Sequence, residues 1–150
     1  MSESEGPAPP AFEPIDHTAD LAYIARGATR EELFRHAAQG LTAFLLDLDS
    51  ITPSLLDTIE VSGADLEECL VSWLNELIFR EEVMGRVYRE FDVEFTGPHV
   101  LRVRCGGEPL DRARHALLTD IKAATYHDLR IRSVASTGQW RYEARIVLDI

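Results

Sequence analysis

Asp65-Leu66-Glu67-Glu68-Cys69-Leu70-Val71-Ser72-Trp73-Leu74-Asn75-Glu76-Leu77-Ile78 decides how the rest of the chain is read. Leu66, Cys69, Leu70, Trp73, Leu74, Leu77 and Ile78 recur at i, i+3, i+4 and i+7, so one face of a helix is apolar along its whole length. The Asp-x-x-Glu spacing of Asp65 and Glu68 is that of a capping box, in which cap and carboxylate each satisfy the other's orphan backbone N–H. The same pattern turns Glu67, Glu68, Asn75, Glu76 and Glu81 to solvent. It makes Cys69 a small core hydrophobe rather than a reactive thiol.

Beyond Gly85 the period drops to two. Val87, Phe91, Val93 and Phe95 alternate with Tyr88, Glu90, Asp92 and Glu94, Thr96-Gly97-Pro98-His99 turns, and Leu101, Val103 and Cys105 alternate with Arg102 and Arg104. This is an antiparallel hairpin with acids on one arm and arginines on the other, which sets register on a solvated face. Upstream, Leu55 to Ser62 reads as a strand closed by Gly63. Before it, Thr29-Arg30-Glu31-Glu32 opens a helix whose stripe is Leu33, Phe34, Ala37, Leu41, Phe44 and Leu45. Phe12 to Ile15 and Leu21 to Arg26 are short strands.

Downstream, Gly106 to Asp120 follows no period, and a long charged loop is where binding surfaces tend to sit. Leu110 to Leu118 in particular matches no pattern. Ile121 to Tyr126 is a strand that resumes at Leu129 to Val134 beyond a kink at His127-Asp128. Trp140, Tyr142, Ala144, Ile146, Leu148 and Ile150 alternate with Arg141, Glu143, Arg145 and Asp149, which puts Asp149 on the polar face and Trp140, like Trp73, in the core. Strands, helix, strand, helix, strands predicts an α+β fold with two helices packed on one face of a mostly antiparallel sheet. No internal repeat is apparent. Met1 to Ala11, acidic and proline-containing, is expected to be a disordered leader, leaving 12–150 as a single domain.

Composition narrows the function. A net charge of −11 argues against backbone-driven nucleic-acid binding, so little direct nucleic-acid affinity is expected. The basic residues Arg102, Arg104, Arg112, Arg114, Lys122, Arg130 and Arg132 nevertheless crowd the second half, which leaves a local RNA contact or a protein partner of mixed charge open. No apolar run approaches the ~18 residues of a membrane span, the acidic start is unlike a secretory n-region, and the two cysteines suggest neither a disulfide framework nor a zinc knuckle. A cytoplasmic address is expected.

The candidate chemistry lies at the ends. Ile15-Asp16-His17-Thr18-Ala19-Asp20 packs two carboxylates and an imidazole at the mouth of a strand, an arrangement that repels itself unless a cation sits among them. Val147-Leu148-Asp149-Ile150 is still in strand pattern at the last residue, as if something ties it down. Oxygen ligands from Asp16, Asp20, Asp149 and the carboxylate of Ile150 suit calcium or magnesium, whereas one histidine without a thiol is thin for zinc. Read singly, Asp16 and Asp20 fit better as turn residues bonded to their own backbone than as ligands, and His17 better as a hydrogen-bonded structural residue. His36 and His99 are expected in solvent. No nucleophile triad, phosphate loop or nucleotide fingerprint is present, so on residues alone an enzyme is the weaker hypothesis.

Asp16-His17-Thr18-Ala19-Asp20, Lys122-Ala123-Ala124-Thr125-Tyr126-His127 and the terminal Val147-Leu148-Asp149-Ile150 together resemble archease, and the likeness runs from Phe12 to Ile150. The resemblance implies a strand-helix-strand-strand core and a non-catalytic protein that activates the GTP-dependent RNA ligase of tRNA splicing and RNA repair, promoting its guanylylation and multiple turnover. It implies a divalent metal, calcium first, on Asp20, Asp149 and Ile150, with Asp16 and His17 as neighbours. It also implies a partner-binding role for Lys122, the chain's single lysine. The alternative it carries is a chaperone for a tRNA-modifying enzyme such as a tRNA methyltransferase.

Overall fold

A computed structural model describes residues 8–15, 21–137 and 139–150. Along them run β1 (Phe12–Ile15), β2 (Leu21–Gly27), α1 (Arg30–Leu45), a 3-10 turn (Leu48–Ser50), β3 (Leu55–Ser62), α2 (Leu66–Glu82), β4 (Arg86–Gly97), β5 (Val100–Pro109), β6 (Ala123–Thr125), β7 (Ile131–Thr137) and β8 (Trp140–Asp149). Every strand pair is antiparallel. The fold is α+β, as the element order predicts.

Instead of a single sheet, the strands form two. One has five strands in the order β1-β2-β8-β6 with β7 also on β8, and the other runs β3-β5-β4. Both helices touch both sheets: α1 packs on β2 and β4, α2 on β3, β4 and β6. The physical reason is the width of the helical stripes. Leu33, Phe34, Ala37, Ala38 and Leu41 on α1 are all fully buried, in a stripe wide enough to meet β2 through Tyr23 and β4 through Phe95. Edge-to-face ring pairs Phe34–Phe95 and Trp73–Phe91 set both helices on β4, and the Trp73 indole N–H donates to the Phe34 carbonyl at 3.1 Å. Tyr23 of β2 is fully buried and donates to the Ala37 carbonyl at 2.7 Å, and burial pushes its hydroxyl well above the ordinary tyrosine range.

The helices begin alike, as their shared capping-box spacing predicts. Gly27-Ala28-Thr29 and Gly63-Ala64-Asp65 each carry a strand into a helix. Thr29 and Asp65 cap by accepting from the backbone N–H of Glu32 and Glu68 at 3.0 and 2.8 Å. Both glutamates reach back one residue further than a capping box predicts, to the N–H of Ala28 and Ala64. Each glycine lies against the backbone six residues on: a Cβ at Gly27 would strike Leu33 and one at Gly63 would strike Cys69.

Two polar residues of α2 expected in solvent are not there. Glu81 is buried, and desolvation raises its pKa. Asn75 faces β6, where its amide accepts from the Ala124 N–H at 2.8 Å and donates to the Ala124 carbonyl at 3.2 Å. The expected leader is also partly held: the carbonyls of Pro9, Pro10 and Ala11 accept from the Trp140 indole, the Arg26 guanidinium and the Arg26 backbone N–H. Across the β4–β5 hairpin Asp92 stands opposite Arg104 and Glu94 opposite Arg102, but Arg102 instead turns to Glu60 of β3 at 2.7 Å.

Asn75→Ala leaves the Ala124 backbone pair without its partners, and leaving buried polar groups unsatisfied costs about 1–3 kcal/mol. Urea unfolding should show a loss in that range. Glu67→Ala, which removes a single acceptor from the Ile131 N–H, should cost less.

Candidate metal and partner-binding site

β2 and β8 pair over seven positions, from Leu21↔Leu148 to Gly27↔Tyr142. On its other edge β8 takes β6 and then β7, so the strand has neighbours along both edges. Near the end of this strand Ile146, Val147 and Leu148 are buried in succession, as are Ala22 and Tyr23 opposite them. Because side chains alternate, the sheet is covered there on both faces. The strand end is anchored, and the Lys122 N–H adds a bond to the Asp149 carbonyl at 2.7 Å.

Of the residues expected at the site, Asp149 is an exposed side chain at the end of β8, Ile150 follows it at 45% exposure, and Lys122 is exposed beside them. Asp16, His17 and Asp20 lie outside the described residues. Their chain leads into Leu21, the register partner of Leu148. Among the described residues no group of three or more His, Cys, Asp or Glu side chains is disposed to hold a metal ion.

The stretch without a period, Gly106 to Asp120, is organised by a buried polar pin that no sequence pattern announces. Glu108 at the end of β5 accepts from the Arg114 guanidinium at 2.6 Å, the Thr52 N–H at 2.7 Å and His115 Nε2 at 2.8 Å. The Asp111 N–H donates to His115 Nδ1 at 2.9 Å, so that nitrogen carries a lone pair and Nε2 carries the proton. The Leu118 N–H then bonds to the Leu45 carbonyl at the end of α1. The one signal visible in the chain is Glu108 followed, six and seven residues on, by Arg114-His115. Both nitrogens of His115 are engaged and its side chain has no exposure, which makes it structural. His36, expected in solvent, is buried too, with Nδ1 at 2.6 Å from the Arg26 carbonyl and its ring edge-on to Trp140.

The Arg114 guanidinium, with the Thr52 N–H and His115, holds the Glu108 carboxyl down to about 2 from an ordinary 4.5. A carboxyl lowered on folding contributes stability that is complete above its unfolded value and is lost as pH falls through its folded one. Glu108→Gln should therefore be less stable than wild type at neutral pH, and the gap should close between about pH 4.5 and pH 2. Urea unfolding of the two proteins across that window reads it.

The chain belongs to the Archease protein family (MTH1598/TM1083), whose model matches residues 12–150. It is 37% identical over 142 residues to protein archease of Methanopyrus kandleri, covering 93% of this chain and 99% of the relative. With protein archease of Methanosarcina barkeri it shares 36% over 143 residues, covering 93% and 95%. Its fold matches the solution structure of Methanobacterium thermoautotrophicum protein 1598 with a TM-score of 0.70, 25% identity and coverage of 93% and 99%. It also matches the crystal structure of a Thermotoga maritima archease described as a "possible chaperone", with a TM-score of 0.60, 23% identity and coverage of 92% and 96%.

Proposed function

We propose that this chain is a non-catalytic protein cofactor of a GTP-dependent RNA ligase of tRNA splicing and RNA repair, promoting the ligase's guanylylation and multiple turnover. Family membership supports this reading. The single structural observation that carries it is the pairing of Leu21 with Leu148. Register partners lie about 4.5–5.5 Å apart and each further residue adds at most ~3.8 Å, so the Cα atoms of Asp20 and Asp149 are within about 13 Å whatever path the loop takes. That is a span two carboxylates can close on one cation.

Asp20, Asp149 and Ile150 would hold a divalent ion, calcium first, with Asp16 and His17 beside them. The donor set fits, since carboxylate and carbonyl oxygens suit a hard cation and the Asp149 side chain is exposed at an anchored strand end. Bound there, the ion supplies a concentrated positive charge for developing negative charge on a transferring phosphoryl group. Asp149 and Asp20 would orient it, and Lys122, one residue before β6, would touch the partner. The second reading, a chaperone of a tRNA-modifying enzyme, is favoured by the description of the Thermotoga structure as a "possible chaperone".

With the ligase alone, RNA joining should stop near one turnover per enzyme. Adding this chain should carry it through many, while the chain by itself leaves RNA and GTP unchanged. Asp20→Ala and Asp149→Ala should abolish the stimulation without changing the circular dichroism spectrum, and calcium titration by calorimetry should lose its heat in both. Stimulation that survives both substitutions refutes the metal-centred account. Absence of any stimulation by wild type refutes the ligase reading in favour of the chaperone.

A further inference from the structure

The interruption between β6 and β7 leaves a groove of about 510 Å³ that no role above uses. Thr125 pairs with Val147 and Ile131 with Ala144, so five residues, 126–130, stand opposite two on β8, Arg145 and Ile146. The surplus chain must bow away from the sheet. Asp128 turns it, in the left-handed conformation at φ 55° that aspartate tolerates better than most residues, and the Leu129 N–H bonds back to the Tyr126 carbonyl at 3.1 Å. Arg130, Arg132 and Arg145 converge on the space this opens, over a floor of Ile24 and Leu129 and beside Tyr126, which is 58% exposed.

The charges in this groove are unevenly committed. Glu143 is held by Arg26 at 3.1 Å and by Arg132 at 3.0 Å, and Arg26 also bridges to Glu13 at 2.7 Å, so these four largely satisfy one another. Asp128 lies 3.4 Å from His127 Nε2. Neither Arg130 nor Arg145 has an ion-pair partner among the described residues. In a chain of net charge −11 two guanidiniums with no ion-pair partner among the described residues meet in one concave site.

We infer that this groove binds a nucleotide, its phosphate taken by Arg130 and Arg145 and its base laid against Tyr126. Guanidinium forks match phosphate oxygens, an exposed aromatic face stacks on any base, and the volume is within the range of small-ligand sites. The aromatic wall is what favours a nucleotide over the carboxylates of an acidic protein, for which it has no use. The groove is the local exception to the weak nucleic-acid affinity that the overall charge predicts. Two sources share this chemistry, a free nucleotide and the terminal nucleotide of an RNA strand. The inference stands apart from the ligase reading, because binding is measured with no ligase present.

The test is fluorescence anisotropy of a 5′-labelled hexauridylate carrying a 3′-phosphate, titrated with the full chain in low salt and EDTA, so that no cation near Asp149 contributes. Saturable binding is expected. Arg130→Ala/Arg145→Ala should weaken it at least tenfold and flatten the log–log salt dependence by about 0.7, the contribution of the one single-strand phosphate that is no longer neutralised. Tyr126→Leu should weaken it about fivefold or more, the range of one base stack. Arg102→Ala, which removes an exposed arginine on the hairpin, should leave it unchanged. Displacement by GTP assigns the site to free nucleotides, and resistance to GTP with displacement by unlabelled hexauridylate assigns it to RNA ends. The inference is overturned if the probe does not bind, if the double variant binds like wild type, or if poly-glutamate displaces the probe as well as the oligonucleotide does.

Discussion

The antiparallel ladder between β2 and β8 is the constraint on which the rest depends. It joins residues more than a hundred positions apart, Leu21 to Leu148 and Gly27 to Tyr142, and it puts β8 at the interior of the five-stranded sheet. Each further feature hangs on it. The Trp140 indole at its start reaches the carbonyl of Pro9, Arg26 reaches across it to Glu143, and its last residue takes the N–H of Lys122. Closing so long a loop is entropically costly, and side-by-side burial of Ala22, Tyr23, Ile146, Val147 and Leu148 offsets that cost at the end where the acidic loop begins.

Burial also explains what the helices do. Each helix meets strands of both sheets, so the helices act as a shared layer. The contacts that bind the layers are directional as well as apolar: an indole N–H to a helix carbonyl, a phenol to another, and aromatic edges against faces. The two strand-to-helix entries repeat one solution to a single geometric problem, namely turning the chain so tightly that only glycine fits against the first helical turn.

Much of this was legible in the residues. The stripe of α2, the change of period after Gly85, the caps at Thr29 and Asp65 and the outward parity of Asp149 are all local patterns, and local patterns survive folding. The two-sheet division was not legible, because nothing in a strand's own sequence says which helix face it will meet. Nor were the buried polar residues. Asn75, Glu81 and His36 read as surface because polar residues usually are, and only partners brought in by the fold, such as Ala124 for Asn75 and Arg26 for His36, reverse that. The pin of Glu108, Arg114 and His115 was hidden in a stretch with no period for the same reason. Of the residues expected at the candidate metal and partner site, Asp149, Ile150 and Lys122 lie together at one strand end, while Asp16, His17 and Asp20 fall outside the described residues.

The amide of Asn75 has a wider meaning than the stability of one strand. By occupying both the donor and the acceptor of Ala124, it stands where the next strand of the five-stranded sheet would otherwise attach. At that position an incoming polypeptide finds no free backbone pair to bond. Sheet growth by a strand laid along β6 is thus blocked at the middle residue of that strand.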